Sequence, residues 1–124
     1  MLRLIFLALL LCLILAGCAG NTGPSQVIVQ YLQARVASDV DKLRSLSCSD
    51  WEPQAILEAD SFQGRNAKLQ DVACQEDGKD GDYTIVSCTG KIVVTYQGES
   101  NQIPISSYRT IQEDGEWKMC GEAG

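Results

Sequence analysis

The sequence predicts an α+β domain in which three short N-terminal helices pack on a curved, four-stranded antiparallel sheet. Two observations carry this. Apolar residues recur every three or four positions as far as about residue 60 and alternate with polar ones beyond Gly64, so the period changes from that of a helix to that of a strand. The second half is also dense in β-branched residues, as in Tyr83-Thr84-Ile85-Val86 and Ile92-Val93-Val94-Thr95-Tyr96, and glycine-containing turn signals divide it.

The chain begins with a segment of another kind. Arg3 precedes an apolar run over residues 4–15, and the small residues Ala16 and Gly17 follow, which is the layout of a secretory signal. The run is short for a spanning helix, which needs about 20 apolar residues. Leu15-Ala16-Gly17-Cys18 resembles the lipobox of bacterial lipoproteins. The resemblance implies that residues 1–17 are cleaved, that Cys18 carries a diacylglycerol, and that the new amino terminus is acylated. Such a protein is exported and lipid-anchored to the cell membrane or envelope, and stable anchoring follows from two or more acyl chains. An ordinary cleaved signal and an uncleaved anchor are the alternatives. Residues 18–25, with two glycines and a proline and little to bury, read as the lipidated Cys and a flexible tether, and residues 26–121 as a single α+β domain.

Within that domain, Val27, Ile28, Tyr31, Leu32 and Val36 stand at helical spacing over residues 25–37, with Ser25 as N-cap. Ser38-Asp39 interrupts and caps a second, shorter helix carrying Val40, Leu43 and Leu46. Ser49-Asp50-Trp51-Glu52 has the spacing of a capping box, and Pro53 suits a first helical turn, so a third helix starts there and runs to about Ala59. Strands are expected over 67–76, 83–97, 102–112 and 116–120, joined by short turns into a meander. In the last hairpin a three-residue loop, Glu113-Asp114-Gly115, places Ile111 opposite Trp117. That register puts Ile105, Ile111, Trp117 and Met119 on the core face, whereas a two-residue loop turns Lys118 inward. On the second strand Val86, Cys88, Ile92, Val94 and Tyr96 form the apolar face, and the helices cover that side.

Composition excludes several functions. The net charge is −6, and loss of Arg3 with the signal leaves nine basic against sixteen acidic side chains, so there is no basic stripe for nucleic acid. There is no histidine, which removes Ser-His-Asp and Cys-His catalysis and the commonest metal ligand. Cys12 leaves with the signal, so four cysteines remain beside Cys18, an even number that favours two disulfides in an exported domain. Zinc is the rival reading, but no close C-x-x-C pair occurs among them. Cys74 and Cys88 lie symmetrically about Gly81, which makes them cross-strand neighbours within disulfide range and leaves Cys48 for Cys120. Asp77, Asp80 and Asp82 share a glycine-rich loop but lack the spacing of a calcium loop. No metal and no cofactor is expected.

Three helices followed by a sheet that ends in Asp114-Gly115-Glu116-Trp117-Lys118-Met119 is similar to the nuclear transport factor 2-like, cone-shaped α+β fold. Val29-Gln30-Tyr31-Leu32, Ser38-Asp39, Lys42-Leu43 and Glu116-Trp117-Lys118-Met119-Cys120-Gly121 are similar to small exported lipoproteins of that superfamily whose role is not known. The resemblance implies candidate pocket-lining residues Tyr31, Trp51, Tyr96, Arg109 and Trp117, with Asp60 as a further inward-facing group. It implies an envelope lipoprotein with a non-catalytic domain that binds an envelope protein or a small apolar ligand. A small lyase or isomerase using the cone cavity is the alternative. Fold alone does not choose between them.

Overall fold

The computed structural model describes residues 23–124; the signal segment, Cys18 and most of the tether lie outside the described residues. Helix α1 is Pro24–Val36, α2 is Val40–Ser45 and α3 is Glu52–Ala59. Ser25 does not cap α1. The helix starts earlier, with extended Gly23 as N-cap and Pro24 at its first position, where the missing N–H costs nothing. Asp39 caps α2 as its side chain accepts from the Lys42 amide at 3.1 Å. The expected capping box before α3 does not form. The Ser49 amide and hydroxyl instead donate to the Glu113 carboxylate, at 3.1 and 2.9 Å, across 64 residues of sequence.

The sheet has five strands, not four: β1 Lys68–Asp80, β2 Tyr83–Tyr96, β3 Glu99–Pro104, β4 Ser107–Glu113 and β5 Glu116–Glu122, all paired antiparallel. Central β2 holds β1 along one edge, while β3 and β4 divide the other between them. The expected third strand breaks at Ile105-Ser106, opposite an irregular stretch of β2 around Gly90. Gly90 has φ +102°, a Cβ on it would stand 2.6 Å from the Asp71 carbonyl oxygen, and the ladder shifts register between Gln70 and Ala73. Here β1 sets Asp71 and Val72 against Gly90, and β2 sets Cys88, Thr89 and Gly90 against Ile105 and Ser106, so the extra residue interrupts the far ladder and the neighbour there divides into two strands.

The last hairpin has the two-residue loop. Asp114 and Gly115 both have positive φ, 54° and 79°, which matches the twist of the flanking strands, and Glu113 pairs with Glu116. Thr110 therefore faces Met119 in the core, and Ile111 faces Lys118 on the outer side of the sheet. Thr110 is tolerated there because its hydroxyl donates to the Thr84 carbonyl at 2.7 Å. The Lys118 ammonium is held at the edge of the sheet by Glu116, at 3.2 Å, and by the Ser45 carbonyl.

The core joins Val27, Ile28, Tyr31 and Leu32 of α1 with Leu43, Ala55, Val86, Ile92 and Met119. The chain between α2 and α3 runs beside β5: the Met119 amide donates to the Leu46 carbonyl at 2.8 Å, and the Cys48 amide donates to the Met119 carbonyl at 2.9 Å. One disulfide closes this contact, Cys48 to Cys120, with Cα atoms 5.3 Å apart. The other joins Cys74 to Cys88, directly opposed across β1 and β2 with Cα atoms 4.1 Å apart. The two bridges fit an oxidising, extracytoplasmic compartment. Among the described residues, no helix is long and apolar enough to cross a membrane.

Candidate functional site

A polar network lies beneath the helices. On α1, Ile28, Tyr31, Leu32 and Arg35 fall at helical spacing, so one face carries apolar anchors together with a phenol and a guanidinium. On α3 the same spacing aligns Ala55, Glu58 and Ala59, which brings a carboxylate into the core. The Tyr31 hydroxyl donates to Glu58 Oε2 at 2.7 Å and accepts from the Trp51 indole N–H at 3.0 Å. Glu58 Oε2 lies 3.7 Å from Arg35 Nε, and the Arg35 guanidinium stands 5.1 Å from the centroid of the Phe62 ring.

Burial sets the electrostatics. Tyr31 is 1% exposed. Desolvation, and then the hydrogen bond to Glu58 and its negative charge, push the Tyr31 phenol well above its ordinary range. The neighbouring Tyr108 phenol is raised as well, chiefly by burial. Arg35 Nε donates no hydrogen bond among the described residues, and the guanidinium is faced by the Glu58 carboxylate and the Phe62 ring. Each polar group in the network is oriented by another member. The Tyr31 hydroxyl has one donor and one acceptor engaged, which fixes the phenol in place.

The residues singled out from sequence separate into two groups. Tyr31 and Trp51 share this network, and Trp117 is half-buried against the edge of the core. Tyr96 stands apart from them, 58% exposed at the end of β2. Arg109 points to the opposite, outer face, because the two-residue loop sets Thr110 inward and its neighbours outward. There it pairs with Asp80 at 3.8 Å, lies 5.9 Å from the Tyr83 ring centroid and donates to the Glu122 carbonyl at 2.8 Å. A shallow groove of about 430 Å³ runs past these groups, lined also by Asp82, Ile111 and Cys120. Asp60 is exposed at the end of α3. Asp77 accepts from the Ser87 hydroxyl at 2.7 Å, Asp80 forms an ion pair with Arg109, and among the described residues no three metal-ligating groups come together.

Glu58 and Arg35 are the members that sequence reasoning passed over. The signal for both was helical phase: Glu58 follows Ala55 by three and precedes Ala59 by one, and Arg35 follows Tyr31 by four.

No protein-family model matches this chain, and no curated protein matches it. Solved structures share the fold, among them the following two. The helical cell shape determining protein Pgp2 from Campylobacter jejuni superposes with a TM-score of 0.53 at 12% identity over 77% of this chain, which spans 38% of the length of that one. A SEC-C motif containing protein from Rhodopseudomonas palustris superposes with a TM-score of 0.55 at 11% identity over 84% of this chain and 82% of that one. At these identities the likeness is one of fold.

Proposed function

We propose that this protein is an envelope lipoprotein, processed before Cys18 and lipid-anchored there to the membrane or envelope. In this reading its nuclear transport factor 2-like cone is a non-catalytic module that binds an envelope protein or a small apolar ligand. The observation that carries it is the Trp51–Tyr31–Glu58–Arg35 network. The polar groups that a cone enzyme would turn toward a substrate are bonded to one another, with Tyr31 engaged on both sides. The two disulfides favour an exported domain, and the absent histidine removes the usual proton carrier.

Intact mass of the protein extracted from a membrane fraction tests the anchor. A diacylated Cys18 with residues 1–17 removed is expected, and Cys18→Ser is expected to give an unlipidated precursor. An unmodified, unprocessed Cys18 in the wild type refutes the anchoring. A panel of isomerase and dehydratase substrates tests the rest: turnover that disappears in Tyr31→Phe refutes the non-catalytic reading.

A further inference from the structure

The edges of this sheet are not treated alike. The β5 edge is closed by Leu46, Cys48 and the Cys48–Cys120 bridge. The β1 edge is broken by two register shifts, between Gln70 and Ala73 and between Glu76 and Lys79, and carries Lys68, Asp71, Glu76, Asp77, Lys79 and Asp80. Bulges and charges of this kind are how sheets avoid pairing with other chains. β3 has no bulge, and its protecting residues, Glu99 and Pro104, stand only at its two ends. Its ladder with β2 runs unshifted from Lys91 opposite Pro104 to Tyr96 opposite Glu99, all six of its residues are exposed, and only Glu99 is charged. Ile103, 40% exposed, and Tyr96 form an apolar margin along it.

The hydrogen-bond phase of β3 is set at its end. The Ile105 amide donates to the Gly90 carbonyl at 3.2 Å. Alternation back from Ile105 directs the amides and carbonyls of Asn101 and Ile103 toward β2, and those of Ser100 and Gln102 toward the open edge. Thr95, opposite Ser100, agrees with this phase, since its amide turns from β3 and donates to the Arg65 carbonyl at 2.9 Å.

We propose that β3 pairs with the β3 strand of a second copy of this chain, antiparallel about a two-fold axis at Asn101. Opposed residues of an antiparallel pair share a face, so a two-fold axis must pass through a residue. With Asn101 on the axis, Ser100 meets Gln102 of the second copy and the two exchange both of their outward hydrogen bonds, twice over. Asn101 meets its own counterpart in the close, non-hydrogen-bonded position, and Glu99 meets Ile103 of the second copy. The two Glu99 carboxylates then stand about 14 Å apart by strand rise and spacing, beyond the screening length of about 8 Å in physiological salt. An acidic protein thereby presents to itself the one edge on which its charges do not oppose each other.

Sedimentation of the full chain in detergent, over a concentration series with micelle mass subtracted, reads the oligomeric state. The wild type is expected to reach the mass of a dimer. Asn101→Lys sets two ammonium groups face to face and is expected to weaken association by at least about tenfold. Mixing Asn101→Lys with Asn101→Asp is expected to restore a dimer made of one copy of each. Mapping Cys48–Cys120 and Cys74–Cys88 in both variants confirms that they are folded. A wild type that stays monomeric throughout overturns the proposal, including the case in which it takes up an extended peptide instead. So does a dimer that Asn101→Lys leaves intact, since the interface would then lie elsewhere. Oligomeric state is read independently of lipidation and of turnover.

Discussion

Two arginines of this molecule are arranged alike and placed differently. Arg35 lies 3.7 Å from a carboxylate and 5.1 Å from an aromatic centroid, and Arg109 lies 3.8 Å and 5.9 Å from its counterparts. The Arg35 and Glu58 side chains are 19% and 9% exposed, those of Arg109 and Asp80 39% and 67%. A carboxylate left unpaired or removed under the helices has no water to replace it, whereas one on the outer face exchanges its partner for solvent. The same three chemical groups therefore form a structural joint on one side of the sheet and a solvent-exposed contact on the other.

The largest effect should come from releasing the cover over the inner arginine. Cys48–Cys120 spans 72 residues and ties the α2–α3 connection to β5, while Cys74–Cys88 spans 14 and joins two strands already paired. Chain entropy assigns about 4.4 kcal/mol to the long bridge and about 3 kcal/mol to the short one. Cys48→Ser should therefore lower the melting temperature more than Cys88→Ser, and the opposite order in a thermal melt would show that the strand bridge, not the layer bridge, limits unfolding.

Next comes the pair itself. Glu58→Ala leaves Arg35 without its counterion and the Tyr31 hydroxyl without its acceptor, at a cost of about 3 kcal/mol in denaturant unfolding. A loss below about 1 kcal/mol would mean that solvent reaches Arg35 as freely as it reaches Arg109.

Tyr31→Phe removes one hydroxyl and should cost about 1–3 kcal/mol, since it strands the Trp51 N–H and deprives Glu58 of a donor. Its pH dependence is more telling. The folded phenol titrates above its unfolded value of 10.0, so the folded state keeps a proton that the unfolded state gives up. Stability from this group is fully present below about pH 10 and falls as pH rises above it, by about 1.4 kcal/mol per pH unit. Tyr108, also raised, adds to the same alkaline slope. Tyr31→Phe should flatten that slope, which urea titrations at pH 9 to 11 would measure; an unchanged slope would place the responsible groups elsewhere.

These contrasts mark what could be read in the sequence. The order of helices and strands followed from the change of period beyond Gly64, and the Cys74–Cys88 register followed from the positions of two cysteines about Gly81. Both rest on repeats that survive locally. The five-strand count was legible only through Pro104, which supplies no ladder donor and ends β3; the matching irregularity around Gly90 lies in β2, outside residues 102–112. The sequence favours a three-residue loop in the last hairpin on the ground that a two-residue loop turns Lys118 inward. The two-residue loop leaves Lys118 on the outer side: it turns Ile111 outward opposite it, while Thr110 takes the core position opposite Met119 with its hydroxyl on the Thr84 carbonyl. The three-residue loop moves Ile111 and Arg109 to the wrong face. In the network the aromatic members, Tyr31 and Trp51, stood out by type, and the charged ones, Glu58 and Arg35, were visible only through their helical phase.

The smallest effect expected is the one that tests the outer arrangement. Arg109→Ala removes the ion pair with Asp80, the contact with the Tyr83 ring and the hydrogen bond to the Glu122 carbonyl, all at the solvent face. Exposed pairs contribute about 0–1 kcal/mol, because water replaces the partners and the long side chain regains its freedom. The cost in urea should therefore stay below about 1 kcal/mol and shrink further in 1 M salt, where screening acts within about 3 Å. Arg35→Ala in the same assay should cost several times more and respond weakly to salt, since its carboxylate is enclosed. Equal losses for the two alanine variants would show that the helical layer does not shield Arg35, and the distinction between joint and surface contact would fall.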